Sequence, residues 1–318
     1  MTTVRRRHRP AGEQVIELPG SRTVTLRAMR PSDASGLRDL FASMGEDDLV
    51  RRFFSGRPPP DQFVERMARV ADRGGIGLVA VLDGPGVDGT VVAEAACELL
   101  PDGNGELGIT VSPQLRGWLG PFILDALVSA AARQGIPAVE ADVLMANRPM
   151  LALLRRRGLA GMAHSERPAT VRVVISTGGR VPPWPWGRRA GRRRLLVEHP
   201  AAEWHADDAA RAAGYDVLVC PGPGGRWSGC PALRGEPCPL VAGADVVVDA
   251  LPGRTGEIVL DAHHRLQPTV PVCVELPVGT EPGQPGTTAL PRGKGDVAVV
   301  GVVQRVAHGG TGEGAADR

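Results

Sequence analysis

Residues 179–194 read GRVPPWPWGRRAGRRR, and no ordinary helix or strand runs through such a stretch. Pro182, Pro183 and Pro185 donate no backbone hydrogen bond and disfavour helix in the residue before each. Arg180, Arg188, Arg189, Arg192, Arg193 and Arg194 crowd the same segment without an acid among them. The chain is broken here into two halves. Residues 179–192 are either a linker or an extended segment laid over a domain surface. A length of 318 residues exceeds one ordinary core of roughly 100–150 residues, so a domain is expected on each side, at 13–178 and 193–307.

Charge excludes one class of partner. Lys+Arg 37 against Asp+Glu 35 leaves a formal charge of +2, so the chain as a whole is no polyanion binder. The basic segment interleaves Trp184 and Trp186 with arginine. That pattern is open to nucleic-acid contact, to packing on the protein or to an acidic partner, but no nucleic-acid-binding fold accompanies it. No window approaches the ~20 apolar residues of a membrane span, and MTTVRRRHRP lacks the apolar run of a signal peptide. Five cysteines in a chain this long are not a secreted disulfide scaffold, and a cytosolic protein is expected. Cys220, Cys230 and Cys238 lack C-x-x-C spacing, so no metal site is expected, although His205, His263 or His264 could complete a set. Otherwise they are small buried groups and loop thiols, and Cys97 and Cys273 are core strand residues.

The first half alternates helix and strand patterns. TVTLRAM is a half-buried strand, and Pro31-Ser32-Asp33 starts a helix carrying Leu37, Leu40 and Phe41. PDQFVERMARVADR places Phe63, Met67 and Val70 on one helical face. GLVAVLDG, TVVAEAACELL and ELGITVSP form a three-strand antiparallel meander. GPFILDALVSAAARQGI is a helix stopped by Gly135, AVEADVLM a strand, and NRPMLALLRRRGL a helix capped by Asn147; TVRVVIST is the last strand. In the second half RRLLVEH, DVLVC, ADVVVDAL, VPVCVELP and DVAVVGVV read as strands, with AAEWHADDAARAAGY a helix between the first two. Apolar strands alternating with helices indicate a parallel, doubly wound sheet.

The order of the first half, with VSPQLRGWLGPFILDALVSAAARQGI and ANRPMLALLRRRGL, resembles the GCN5-related N-acetyltransferases (GNAT). LRAMRPSDASGLRDLFASMGEDDLVRRFFS, with Arg52-Phe53-Phe54, resembles their bacterial protein lysine acetyltransferase subgroup. The resemblance covers about half the chain. It implies a mixed sheet with helices, acetyl-CoA as co-substrate and an amine acceptor such as a protein lysine.

It also implies a pyrophosphate site where Pro113–Gly120 joins strand to helix. There helix N–H groups, the small Gly117 and Gly120, and the charge of Arg116 suit an anion. Taken alone, the same residues are an ordinary strand-to-helix turn. The loop departs from the family pattern, being one residue short, with Leu119 beside Gly120 and a Trp118 that could stack on the cofactor or on a partner, or block the groove. The resemblance gives Asn147 a contact with CoA, and its capping role holds equally. It places the amides near Ile109, Thr110 and Val111 on the thioester carbonyl.

In ELGITV, Leu107, Ile109 and Val111 share one strand face and Glu106, Gly108 and Thr110 the other. With the apolar set on the core, Glu106 is placed to take a proton from the acceptor amine. The other reading is a solvated carboxylate at a strand start. Glu94 and Glu98, on one face of the preceding strand, are expected to be exposed. The only tyrosine, Tyr215, lies in the other half, so no side-chain acid is evident for the leaving thiolate.

The second half weakly resembles a bacterial receiver domain of flavodoxin-like shape. Glu198 and Asp249 fall near its acidic positions, but the sole lysine, Lys294, precedes the last apolar segment. This implies an interaction or regulatory domain for a protein partner rather than a phosphorelay. The expected function is acetyl-CoA-dependent acetylation of an amine. The alternative is a degenerate module of the same fold that binds CoA species or proteins without turnover.

Overall fold

The computed structural model describes residues 6–8, 13–162, 169–185, 187–200, 204–224, 230–293 and 295–308. Trp186 and Lys294 lie outside them. The chain divides into two compact units, residues 1–141 and 142–318.

In the first unit, β1 (Arg6–His8), β2 (Gln14–Leu18) and β3 (Arg22–Ala28) precede α1 (Ala34–Ala42), α2 (Glu46–Phe53) and α3 (Asp61–Ala68). Then follow β4 (Ile76–Gly84), β5 (Val87–Leu99), β6 (Gly105–Val111), α4 (Arg116–Arg133) and β7 (Ala138–Leu144). The strands lie side by side in chain order, antiparallel as far as β6, and β7 adds parallel to β6. One face of the sheet buries Leu37, Leu40 and Phe41 of α1 and Val64, Met67 and Ala68 of α3 against Val79, Val81, Val91 and Ala96. Met67 and Val70 are buried as expected, but Val64 takes the inward place read for Phe63, which stands 43% exposed. Helix α4 packs against β4, β5 and β6.

Contrary to the reading from composition, Pro113–Arg133 is by length and composition apolar and long enough to cross a membrane. Leu119, Ile123, Leu124 and Leu127 are fully buried, as in the core helix of a folded domain.

Two features of β5 and β6 position the site. Ala80 pairs with Ala93 and Val81 with Val91, so Val92 is an extra residue, a β-bulge. The bulge reverses the alternation and turns Glu94, Ala96 and Glu98 toward the face that carries α1 and α3. Beyond it, Glu94 lies opposite Thr110, Ala96 opposite Gly108 and Glu98 opposite Glu106.

The second unit contains α5 (Arg148–Arg155), β8 (Leu159–Met162), β9 (Thr170–Ser176), β10 (Arg193–Glu198), α6 (Asp207–Ala212) and β11 (Tyr215–Cys220). It continues with α7 (Pro239–Gly243), β12 (Val246–Asp249), α8 (Gly253–Leu266), β13 (Val272–Leu276), β14 (Thr287–Pro291) and α9 (Asp296–Ala307). Its strand order is β9-β8-β11-β10-β12-β13-β14. The last five are parallel, and β8 pairs antiparallel with β9 and β11. Strand β9, read from sequence as the last strand of the first half, thus lies in the second unit beside β8, which was not read as a strand.

Alternating residues of each central strand feed two cores. Leu195, Val197, Val246 and Val248 pack with α6 and α9, while Leu196, Leu218 and Val247 pack with α7 and α8. DVAVVGVV is a helix, not a strand. Gly295 caps it, and Val299, Val300 and Val303 bury one stripe, which outweighs the strand preference of valine. The last strand is β14, whose TTALP was not read as one.

The Pro/Arg segment lies on the surface of this second unit. Trp184 is buried and donates from Nε1 to the Leu240 carbonyl at 2.8 Å. Gly243 is required there, since a Cβ would fall 2.3 Å from the Trp184 ring. Arg188 pairs with Asp245 at 2.9 Å and Arg192 with Asp216 at 2.9 Å, so part of the basic run is spent on carboxylates of its own unit.

Candidate functional site

The site builds outward from β6. Ser112 N–H donates to the Val92 carbonyl and Leu100 N–H to the Asn104 carbonyl. In an antiparallel ladder this alternation commits the amides of Glu106, Gly108 and Thr110 to β5. The amides of Leu107, Ile109 and Val111 face the opposite edge. The pairing of β6 with β7 there consists of Gly105 with Val139 and Glu106 with Glu140. The latter pairing takes up the Leu107 amide, and past that point, among the described residues, no strand pairs with the edge of Gly108–Val111. That edge runs into the N-terminus of α4.

Helix α4 starts at Arg116, preceded by a single turn over Pro113–Leu115, and Leu115 supplies no side-chain cap. The first-turn amides of Arg116, Gly117 and Trp118 precede the helical bonding pattern. Gly117 is exposed, with no atom within 4 Å of where its Cβ would be. Arg116 Nε donates to the Val111 carbonyl at 3.1 Å, and its Nη2 pairs with Asp48 of α2 at 2.6 Å. The Arg116 guanidinium holds the Asp48 carboxyl below the usual carboxylate range. Trp118 is half-buried.

Three expectations are corrected here. The helix begins earlier than the sequence suggests. Leu119 and Gly120 therefore lie inside it, both buried, with amides in the helical ladder and no free donor for a phosphate. Pro121 sits in the second turn of the helix. Thr110 turns its amide to β5 and its hydroxyl to Glu94.

Glu94 was expected in solvent and is fully buried. Arg52 reaches over from α2 and donates to Glu94 Oε1 from Nε at 3.1 Å and from Nη2 at 2.9 Å. Thr110 Oγ1 donates to the same oxygen at 2.8 Å. The guanidinium lies over Gly108, where a Cβ would stand 2.3 Å from Nη2, so only glycine admits it. The sequence shows Arg52 and Glu94 but not the bulge that turns them together.

Glu106 is exposed at the start of β6. It stands between Glu98 on β5 and Glu140 on β7. Arg66 and Arg73 bind Glu98 at 2.5 and 3.3 Å, and Asn104 donates to Glu140 at 2.7 Å. Among the described residues nothing pairs with Glu106, the one carboxylate of this row left open.

Asn147 belongs to the second unit, where it caps α5 by accepting from Met150 N–H at 3.4 Å.

No protein-family model matches the sequence, and no curated protein matches it. Solved structures do. The GNAT domain of S. lividans PAT is 20% identical, over 54% of this chain and 99% of that one, with a TM-score of 0.45. A GNAT superfamily phosphinothricin acetyltransferase from Sinorhizobium meliloti, in complex with AcCoA, is 20% identical over 48% and 88%, with a TM-score of 0.39. A GNAT-family acetyltransferase from Staphylococcus aureus is 13% identical over 48% and 99%, with a TM-score of 0.40.

The second unit gathers titratable groups at the C-terminal ends of its parallel strands. Glu198 ends β10 and Asp249 ends β12, both buried. His263 of α8 lies 3.0 Å from each oxygen of Glu198. Burial, and then the Glu198 charge, push the Asp249 carboxyl up to about 7. Burial opposes the charging of His263, but the Glu198 carboxylate prevails and raises it. Cys220, Cys230 and Cys238 are free thiols raised by burial. Among the described residues no three His, Cys, Asp or Glu side chains are arranged to hold a metal ion.

A folded carboxyl with a raised pKa binds its proton more tightly than the unfolded chain does. Its stabilising contribution is present at low pH and is lost as pH rises through about 7. Asp249→Asn should therefore raise the unfolding temperature relative to the parent more at about pH 8 than at about pH 5. Thermal unfolding of both proteins at the two values checks this, and a difference independent of pH contradicts it.

Proposed function

We propose that the first unit is an acetyl-CoA-dependent N-acetyltransferase acting on an amine, with a protein lysine as the favoured acceptor, and that the second unit recruits or regulates. The observation that carries the reading is the open edge of β6, whose Ile109 and Val111 amides lead into the uncapped N-terminus of α4. An edge with free donors takes an extended amide-bearing chain such as pantetheine as a strand substitute. A helix N-terminus with an exposed glycine takes a pyrophosphate.

The residues present fit the co-substrate. The first-turn amides of Arg116, Gly117 and Trp118 would hold phosphate, with Arg116 adding charge on release from Asp48. When bound, acetyl-CoA supplies an acyl carbon activated as a thioester, whose C–S bond breaks as the amine's C–N bond forms. The Ile109 and Val111 amides would polarise the carbonyl oxygen. Glu106, unpaired and exposed, takes the proton the nitrogen gives up, directly or through water. For the second unit, the parallel order β11-β10-β12-β13-β14 is that of flavodoxin-like sheets, and acidic Glu198 and Asp249 sit at their switch point. This supports the receiver-like reading of a partner-binding domain.

Calorimetric titration of CoA into the parent and into Arg116→Ala tests the site. A charge-assisted bond to phosphate predicts a Kd about 10–100-fold weaker in the variant. Equal affinities would place the phosphates elsewhere, and no binding to either protein would reject the reading.

A further inference from the structure

We infer that Glu94 holds the acceptor nitrogen through its second carboxylate oxygen, an inference that rests on the acetyltransferase reading and names the group that receives its amine. The bonds to this carboxylate all go to Oε1: two from Arg52 and one from Thr110. Oε2 is buried and has no hydrogen-bond partner among the described residues. An ion pair built only for stability would share its donors between both oxygens, because an unsatisfied buried charged acceptor costs more than a neutral one.

The place of Glu94 in the sheet suits the role. The bulge at Val92 puts it opposite Thr110, on the same face of the sheet as Gly108 and Glu106. It is thereby close in register to Ile109 and Val111, whose amides face the open edge. Glu106 lies four residues from Thr110, roughly 13 Å along the strand. Across that span no direct transfer is possible: Glu94 holds the nitrogen near the edge amides, and its proton reaches Glu106 through a chain of waters along the same face.

The Arg52 guanidinium adds a second effect. It leaves the pair with no net charge, so a nitrogen donating to Oε2 gains a hydrogen bond without a free anion to stabilise its ammonium form. The like charge of Arg52 beside it favours loss of the proton, which gives the neutral nucleophile that acyl transfer requires. The guanidinium crowds Gly108 and closes that side of the carboxylate, so a group that reaches Oε2 must be slim and unbranched. The acceptor class that fits is an aliphatic primary amine of the lysine type.

Glutamine at position 94 tests the inference at a single atom. The three donors hold its amide oxygen where Oε1 stood, which forces its NH2 into the place of Oε2 and presents a donor to the incoming N–H. With n-butylamine as acceptor and CoA thiol release as readout, Glu94→Gln should raise the KM for the amine about 10–100-fold. Its kcat should change far less, and its calorimetric affinity for acetyl-CoA should equal the parent's.

The parent protein gives a second arm that does not depend on how the variant folds. N,N-dimethylbutylamine, which has no N–H in its neutral form, should compete with n-butylamine only at concentrations at least about tenfold above the KM of that amine. An unchanged KM in Glu94→Gln, or equal affinity for the two amines in the parent, overturns the inference. Acetyl-CoA binding without any transfer to n-butylamine overturns it too, while leaving the co-substrate reading in place. No acetyl-CoA binding removes both.

Discussion

Glu106→Gln should slow acyl transfer by about 10²–10⁴-fold while leaving acetyl-CoA affinity unchanged, the range expected for loss of a positioned general base. The row of three carboxylates is the reason for singling it out. Glu98 is neutralised by Arg66 and Arg73, and Glu140 is engaged by Asn104. Glu106, between them and exposed, is the member with unengaged oxygens. Glutamine keeps its size and its place on β6 but cannot take a proton. Initial rates with saturating acetyl-CoA, alongside a calorimetric titration, separate chemistry from binding. An unchanged turnover removes Glu106 from the mechanism.

Arg52→Ala should lower the stability of the first unit by about 3–5 kcal/mol, the cost of stranding one member of a buried ion pair. Glu94 has no exposure of its own and depends on Arg52 for two of the three bonds at Oε1. Alanine leaves a carboxylate in the sheet face with the Thr110 hydroxyl as its remaining partner. The ring contacts of Phe53, edge-on to Phe41 and to Phe63 at 5.0 and 5.9 Å between centroids, would hold α2 in place but cannot solvate that charge.

Arg38 makes the useful contrast. It pairs with Asp61 and Glu65 near the surface, where such pairs contribute ~1 kcal/mol or less. Urea unfolding of Arg52→Ala and Arg38→Ala should therefore give very different midpoints. Equal losses would mean that the Arg52–Glu94 pair is solvated and not part of the core.

The elements were legible where local patterns decide them. The alternation in TVTLRAM, the meander and the Asn147 cap each rest on neighbouring residues and reappear in the structure as β3, β4 to β6, and the α5 start. What escaped the sequence depends on partners far along the chain. Glu94 looks like a surface strand residue until one bulge and Arg52, 42 residues earlier, bury it. DVAVVGVV carries strand-forming residues, and its helical form follows from the core face that Val299, Val300 and Val303 must fill. Strands β8 and β9 continue the first half in sequence, yet β8 joins β9 to β11 of the parallel sheet. Leu119 reads as part of a phosphate loop because nothing local announces that α4 starts at Arg116. Of the proposed site, Glu106, Arg116 and Gly117 were visible. The direction of each β6 amide was not, since register is fixed only by the pairing itself.

The most direct test of the central claim is a calorimetric titration of acetyl-CoA into the full-length protein. The open β6 edge and the α4 N-terminus predict saturable one-to-one binding in the micromolar range. Absence of binding would contradict the account and leave the first unit a scaffold that keeps the strand edge without its co-substrate.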